Sequence, residues 1–324
     1  MSQTPILEVE NLKKSFPLSA GFFSKGSVTL KAVNDVSFSL SKGDTLGLVG
    51  ESGCGKSTIA RLLLCLDQPD SGTVSFKGEN IFKMNKARKN DFRKKVQIVF
   101  QDPFSSLNPR KKAGSIIGEP LLIHKILPRR KIGERVAELM EMVGLRKEYA
   151  QKYPHEFSSG QRQRIGIARA LSLNPEIIVA DEPVSALDVS IQAQTINLFL
   201  DLQKQMNLTY LFISHDLSVV KFISTKVAVM YLGKIVEIAE NNELYQNPLH
   251  PYTRALLSAV PVPDPLKKRE RILLNGDNPS PFNPPEGCVF SNRCPEVNVD
   301  ICTKNHPELI QKQDGHAVSC FMRE

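Results

Sequence analysis

The sequence predicts a mixed α/β fold around a phosphate-binding loop, with an antiparallel β part, a helical part and a small cysteine-rich C-terminal extension. Three observations carry that prediction. Gly50-Glu51-Ser52-Gly53-Cys54-Gly55-Lys56-Ser57 spells G-x-x-x-x-G-K-S between a short apolar strand and a helix. A second apolar strand, Ile177-Ile178-Val179-Ala180, runs into paired carboxylates at Asp181-Glu182. Apolar and polar residues alternate from Leu30 to Leu40, as in a half-buried antiparallel strand.

Taken in order, Leu7-Glu8-Val9 reads as the first strand, Pro17 to Ser27 as a loop, and Leu30 to Leu40 as the next strand. Thr45 to Val49 is a short apolar strand and Thr58 to Leu66 a helix. The glycines between them let backbone N–H groups turn inward toward phosphate oxygens. Lys56 adds a cation for the β- and γ-phosphates, and the Ser57 hydroxyl can ligate Mg²⁺. An anion there meets a helix N-terminus, where free donors and the dipole both favour it. Residues 104–172 read as mostly helical. Ile132, Val136, Leu139, Met140 and Val143 recur at helical spacing up to Gly144, which suits a packing face. Gly160 to Leu173 is a further helix, stopped by Asn174-Pro175, and Leu187 to Met206 another. Val227 to Tyr231 and Ile235 to Ile238 are apolar strands. From Val260-Pro261-Val262-Pro263-Asp264-Pro265 through Pro279, Pro281, Pro284 and Pro285 the chain is proline-rich, as in an extended connection. The expected domains are therefore 1–259 and 260–324.

The carboxylates at 181 and 182 suit a Mg²⁺ held through water and a general base that polarises the attacking water. Other short clusters surround them. Gln101 lies in Val99-Phe100-Gln101-Asp102-Pro103, and Phe157-Ser158-Ser159-Gly160-Gln161-Arg162-Gln163-Arg164 precedes the carboxylate strand. Ser185-Ala186-Leu187-Asp188 follows it, and the apolar run from Tyr210 to Ser214 ends at His215-Asp216. This order resembles the Walker A, Q-loop, signature, Walker B, D-loop and H-loop of the ABC-transporter ATPases.

The resemblance implies an ABC-type ATPase domain with an antiparallel β subdomain and a helical subdomain. It implies that Gln101 senses Mg²⁺ and couples to a membrane partner, that Ser57, Gln101 and Asp181 hold Mg²⁺, that Glu182 is the catalytic base, and that His215 contacts the γ-phosphate. Gly50 to Thr58 would form the ATP-binding loop, and Asp188 the D-loop acid. Ser158, Ser159, Gly160 and Gln161 would cap ATP held by an opposite subunit. Related ATPases stack an aromatic on adenine just ahead of the second strand; Phe16 is the candidate, with Phe22 and Phe23 as rivals. One departure stands out. The family usually has Gly-Gly before the glutamine, whereas this chain has Ser159-Gly160. A side chain at 159 crowds the close approach that glycine permits, which predicts a weakened signature.

At 324 residues, with 41% hydrophobic and 23% charged residues, the chain has the composition of a soluble globular protein with room for one large domain and a smaller one. No apolar run approaches the roughly 18 to 20 residues that span a bilayer. Met1 to Glu8 has no basic stretch followed by an apolar core, so no signal peptide is expected. A cytosolic chain of this kind would borrow membrane spans from other proteins. The net charge of +8 is concentrated in Lys83 to Lys95, Arg110-Lys111-Lys112, Arg129-Arg130-Lys131 and Lys267-Lys268-Arg269. Such runs suit a solvated surface, anionic headgroups or nucleic acid. No nucleic-acid fold motif accompanies them, and aromatics are sparse at 7% without Trp. No nucleic-acid partner is expected.

Cys54, in the phosphate loop, and Cys65, on the following helix, read as small buried residues. Cys288, Cys294, Cys302 and Cys320 form a C-x5-C-x7-C-x17-C set in the tail. A reducing cytosol argues against disulfides. Four thiolates suit Zn²⁺ or an iron–sulfur cluster, and spacing looser than a zinc knuckle leaves both open, beside four unrelated thiols. A tail of about 60 residues with little apolar material would gain folding free energy from ligation. Here a narrower resemblance enters. Asn247-Pro248-Leu249-His250-Pro251-Tyr252-Thr253-Arg254-Ala255-Leu256-Leu257 and Gly287-Cys288-Val289-Phe290-Ser291-Asn292-Arg293-Cys294-Pro295 resemble elements of oligopeptide and dipeptide importer ATPases. Ser106-Leu107-Asn108-Pro109-Arg110, Glu119-Pro120-Leu121 and Lys31-Ala32-Val33-Asn34-Asp35-Val36-Ser37 resemble their F-type subunit. Members with this cysteine set carry a [4Fe–4S] cluster, which the resemblance favours over Zn²⁺.

The implied protein is an ATP-hydrolysing F-type subunit that uses ATP and Mg²⁺. It would pair head-to-tail with a homologous D-type ATPase beneath two membrane permeases, on the cytoplasmic face of the inner membrane. An extracytoplasmic substrate-binding protein would deliver peptide. Import of nickel, sugar or another solute is the alternative on the same architecture. A nucleic-acid-maintenance ABC ATPase with a four-cysteine zinc module would usually carry two cassettes or a long coiled-coil insert, neither of which is present in this sequence. A small-molecule kinase would lack the signature and the His215 motif.

Overall fold

The structure is a computed structural model that describes residues 4–18, 28–260, 270–274, 276, 282, 284–313 and 315–323. Phe22, Phe23, Lys267-Lys268-Arg269 and the prolines at 261, 263, 265, 279 and 281 lie outside the described residues. The chain forms two compact units. One comprises Leu40–Thr45 and Lys83–Ile213; the other comprises Pro5–Ser39, Leu46–Phe82 and the chain from Ser214 onward.

The second of these units begins with β1 (Leu7–Leu18), β2 (Val28–Leu40), β3 (Thr45–Val49), α1 (Lys56–Leu63), β4 (Ser71–Phe76) and β5 (Glu79–Asn80). An antiparallel sheet runs β2-β1-β4-β5, with Leu7 opposite Phe76 and Val9 opposite Val74. β1 is much longer than the three residues expected and takes in Pro17. Its register slips between Glu10 and Lys13, where Asn11 adopts a φ of 47°. A bulge of this kind breaks the alternation by which a strand is recognised. β3 is buried along its whole length, as a parallel strand covered on both faces should be.

The other unit carries α2 (Lys86–Lys95), β6 (Val96–Val99), α3 (Pro103–Ser106), α4 (Ala113–Ile123), α5 (Arg129–Met142), α6 (Ser159–Leu171), β7 (Ile177–Asp181), α7 (Val189–Met206) and β8 (Thr209–Ser214). β6, β7 and β8 are parallel, with Val99 opposite Ala180 and Asp181 opposite Ile213. The expected apolar stripe of α5 is its buried face: Val136, Leu139 and Met140. α6 and α7 touch closely, and a Cβ at Gly160 would come within 2.6 Å of Ile191 Cγ2.

The chain then returns to the unit that holds β1 to β5, with α8 (Leu217–Ile223), β9 (Lys226–Tyr231), β10 (Lys234–Glu240), α9 (Asn241–Gln246), α10 (Pro251–Ser258), α11 (Val299–Cys302), β11 (Ile310–Gln313) and β12 (His316–Val318). Within that unit the strands run β11-β12-β10-β9-β3. The tail therefore contributes two strands that no sequence pattern announced. It also inserts Phe290, 1% exposed, edge-on to Tyr231 and tilted against Tyr252 and His250. The tail, with little apolar material for a core of its own, borrows one. It shares the one built by β9, β10 and α10.

Beneath these rings lies a fully buried polar network. The Glu237 carboxyl group accepts from the N–H groups of Leu249 at 2.7 Å and His250 at 3.0 Å, and meets His316 Nε2 at 2.8 Å. His250 Nδ1 accepts from the Tyr252 N–H at 3.1 Å, which requires that nitrogen to be unprotonated. Burial holds the His250 pKa down at about 4. The hydrogen bond to Glu237 raises that of His316.

The two histidines act in opposite pH windows. Below about 6.5 the unfolded chain takes up a proton at position 250 that the folded chain refuses until about 4. Stability should therefore fall as pH drops from about 6.5 toward 4, by up to about 3 kcal/mol. The His316 contribution is complete below its unfolded value and is lost only as pH rises through its raised folded value, so it adds no slope in the acid window. His250→Asn keeps an acceptor for the Tyr252 N–H and removes the titration. Denaturant unfolding at several pH values should show a shallower acid slope in that variant, and an unchanged slope would rule out this assignment.

Candidate functional site

The phosphate loop is shaped by two close approaches. A Cβ at Gly55, where φ is 111°, would lie 2.0 Å from the Ala32 carbonyl oxygen; at Gly50 it would lie 2.2 Å from the Met230 carbonyl oxygen. No side chain caps α1, whose N-cap is Gly55, so its first-turn amides are not taken up by a capping group. Ser57 and Thr58 stand in that first turn. Lys56 is 5% exposed, and its ammonium donates to the carbonyls of Gly50 at 2.7 Å and Glu51 at 2.9 Å. A cation and several amides thus bound one small loop, an arrangement suited to a polyphosphate. Cys54 is buried as expected, and burial raises its thiol pKa. Cys65 is only half-buried. Ser52 and Gly53 are exposed. Phe16 is half-exposed within β1, with the Lys14 ammonium 5.3 Å from its ring centroid.

Glu51 has partners that the motif does not suggest. Its N–H donates to the Tyr252 hydroxyl at 3.0 Å, and its carboxylate accepts from Arg293 at 2.9 Å. Tyr252 and Arg293 are functional candidates missed by sequence reasoning. The only signal is that they stand inside the two C-terminal motifs quoted above, some two hundred residues from the loop.

In the other unit β7 ends at Asp181, and Glu182 turns sharply with a φ of 47° while its N–H donates to the Ile213 carbonyl at 3.0 Å. That turn brings the Glu182 carboxylate to Gln101, whose amide donates to it at 3.0 Å. Two of the expected catalytic residues are therefore joined, although eighty-one positions separate them. Ser158 caps α6 in a reciprocal box: its hydroxyl accepts from the Gln161 N–H at 3.3 Å, and the Gln161 side chain accepts from the Ser158 N–H at 3.1 Å. Ser159, half-buried, is the first residue of the helix, and Gly160 is buried against Ile191. Asp188 is exposed at the N-cap of α7, and the Gln192 amide stitches the preceding turn by donating to Val184 and Leu187.

His215 is exposed directly after β8, ahead of Asp216, which caps α8 through the Ser218 N–H. Cys288 and Cys302 are buried, Cys294 and Cys320 half-buried, and all four are free. The N–H of Cys288 donates to the Cys302 carbonyl at 2.7 Å. Burial pushes the Cys288 and Cys294 thiols up to about 11, with a smaller upward push from neighbouring thiols. Among the described residues, no group of three or more His, Cys, Asp and Glu side chains is arranged to hold a metal ion. None of the described helices is long and apolar enough to cross a membrane.

Residues 33–185 match the ABC transporter family, and residues 236–302 match the C-terminal region of oligopeptide/dipeptide transporters. The oligopeptide transport ATP-binding protein AppF of Bacillus subtilis is 56% identical, over 99% of this chain and 98% of its own length. The dipeptide transport ATP-binding protein DppF of Haemophilus influenzae is 52% identical, over 98% and 97%. Among solved structures, a dimeric ATP-binding cassette, MJ0796, bound to ADP and Pi after hydrolysis, superposes with a TM-score of 0.64 at 26% identity, covering 72% of this chain and 98% of that one. With both family matches in place and relatives of this identity along almost its whole length, the chain belongs to the ATP-binding, ATP-hydrolysing proteins of oligopeptide/dipeptide ABC transport.

Proposed function

We propose that this chain is the F-type ATPase subunit of an ABC importer for oligopeptides or dipeptides. The observation that carries the reading is the family match over residues 236–302, where the His250-Pro251-Tyr252-Thr253 element stands and Tyr252 bonds the phosphate loop. The subunit pairs with a homologous D-type ATPase on the cytoplasmic face of the inner membrane. Two permeases supply the membrane path, and an extracytoplasmic binding protein supplies the solute. Residues 1–259 form the ATPase domain and 260–324 its extension.

ATP enters the loop Gly50 to Thr58, with Phe16 as the adenine platform. Lys56 supplies the cation for the β- and γ-phosphates. Ser57, Gln101 and Asp181 offer oxygen donors, the kind Mg²⁺ takes. Glu182, oriented by the Gln101 amide, accepts the proton of the attacking water. His215 contacts the γ-phosphate. Ser158 to Gln161 and Asp188 face the nucleotide of the partner ATPase.

Cys288, Cys294, Cys302 and Cys320 hold one [4Fe–4S] cluster. Four thiols in one small, partly buried segment are the donor set such a group needs, and ligation would supply thiolate cross-links to the tail. The sulfurs would have to draw together to bind it, because no closed donor group is formed among the described residues.

The complex tests this reading directly. Anaerobic purification from solubilised membranes should recover two polytopic proteins and a second ATPase, with about four iron atoms per copy of this chain. Recovery of the chain alone would overturn the subunit assignment. Stoichiometric zinc would replace the cluster by a zinc site, and neither metal would leave four unrelated thiols.

Glu182→Gln, combined with removal of the partner's equivalent carboxylate, should keep ATP binding and slow hydrolysis by about 10²-fold or more. Unchanged turnover would remove Glu182 from the chemistry. Ser159→Gly should raise ATPase activity of the assembled complex by opening the approach to the partner's nucleotide. Gly160→Ala presses on Ile191 and should lower it. Equal activity in Ser159→Gly would show that the serine is tolerated there.

A further inference from the structure

Two side chains from the C-terminal part of the chain converge on one residue of the phosphate loop. The peptide unit joining Gly50 to Glu51 is bonded at both ends. Its carbonyl accepts from Lys56 Nζ at 2.7 Å, and its N–H donates to the Tyr252 hydroxyl at 3.0 Å. A peptide is planar, with C=O and N–H on opposite sides, so whatever holds the N–H also aims the carbonyl. Tyr252 is fully buried and its pKa is raised, first of all by burial, so the hydroxyl is a fixed neutral partner. The next peptide carbonyl, that of Glu51, also holds Lys56, at 2.9 Å. The Glu51 carboxylate is held by Arg293 at 2.9 Å, and Arg293 reaches the Tyr231 hydroxyl at 3.4 Å. Arg293 is 11% exposed and Glu51 26%, so solvent screens this pair only partly. Phe290, three positions before Arg293, is locked among Tyr231, Tyr252 and His250. The anchor is therefore rigid on the tail side.

We propose that Tyr252 and Arg293 are positioning residues for nucleotide binding, acting through Glu51 to fix the phosphate loop and to place the Lys56 ammonium. Neither touches the phosphates. Their work is to hold the loop in the shape that ATP meets, so that binding does not have to order it. This rests on the ATP-binding role of the loop and goes beyond it, because it makes the C-terminal extension part of the ATP site. Loss of a positioning contact should weaken ATP binding and leave the chemical step, set by Glu182, largely untouched.

The test uses the full chain, by calorimetry with ATP, and the assembled transporter, by steady-state kinetics. Arg293→Gln and Tyr252→Phe should each weaken ATP affinity and raise KM by roughly 10-fold, the scale of one lost hydrogen bond, with kcat at saturating ATP changed less than about two-fold. Arg293→Lys keeps the cation without the fork and should recover part of the loss. Glu51→Gln should match Arg293→Gln, and the double variant should lose no more than either alone. A purely structural role would lower Tm and the yield of complex without moving the KM of the assembled fraction. Wild-type KM in assembled Arg293→Gln and Tyr252→Phe complexes overturns the proposal, as do additive losses in the double variant. If Arg293→Gln does not assemble, Glu51→Gln and Tyr252→Phe decide, since both leave the tail intact. Lys56→Ala is the control: loss of binding there beside normal binding in the other variants sinks this inference alone, whereas retained binding in Lys56→Ala sinks the ATP site.

Discussion

The constraint on which this protein turns is the absence of space around two glycines. Gly50 and Gly55 bring the phosphate loop against the carbonyls of Met230 and Ala32 so closely that a single methyl group would collide with either. Those carbonyls belong to β9 and β2, so the loop is bounded on two sides by different sheets of one unit. The loop can then present its amides and the buried Lys56 in one direction. Flexibility is usually given as the reason for glycine in such loops. Here lack of room is the stronger reason, because flexible glycines alone would leave the amides unaimed.

That same loop explains why the C-terminal extension is fused to the ATPase rather than tethered to it. The extension supplies β12 to the edge of β10, Phe290 to the ring cluster of Tyr231 and Tyr252, and Arg293 to Glu51. It also covers a buried carboxyl group, Glu237, which two backbone amides and His316 together satisfy. A buried acid is costly unless every acceptor is used, so the His316 strand and the turn before α10 depend on each other. The four cysteines sit on a segment already anchored by apolar and ionic contacts. Cross-linking through them would add rigidity to a tail that has other reasons to fold.

What could be read in the sequence follows from the range of the interactions. The phosphate loop, the carboxylate strand and the signature are short because their chemistry needs adjacent donors, and the elements that carry them, β3, α1, β7 and α6, form where the sequence predicts them. The α5 stripe and the parallel strands follow from local periodicity. β1 extends well past its recognisable pattern because the slip at Asn11 interrupts the alternation for purely local reasons. β11 and β12 were missed because two strands of four and three residues carry too little pattern, and β12 is specified by its pairing with β10, some eighty positions earlier. Likewise, the Gln101–Glu182 contact and the two partners of Glu51 are invisible to spacing, since each joins residues far apart in the chain.

The signature shows how the two kinds of information combine. Its glycine positions look equivalent in sequence, yet they answer to different neighbours. Gly160 faces inward, where a Cβ would strike Ile191 of α7, so the fold itself requires it. Position 159 opens the helix, between a capping serine and that buried glycine, and accommodates a hydroxymethyl group with the cap intact. The helix direction, set by Ser158 and Gln161, is preserved, and so is the packing of α6 on α7. The substitution therefore spares the internal role of the motif. Any effect of Ser159 on activity would then arise at the start of α6 itself, where the pairing proposed above would bring the nucleotide of another subunit.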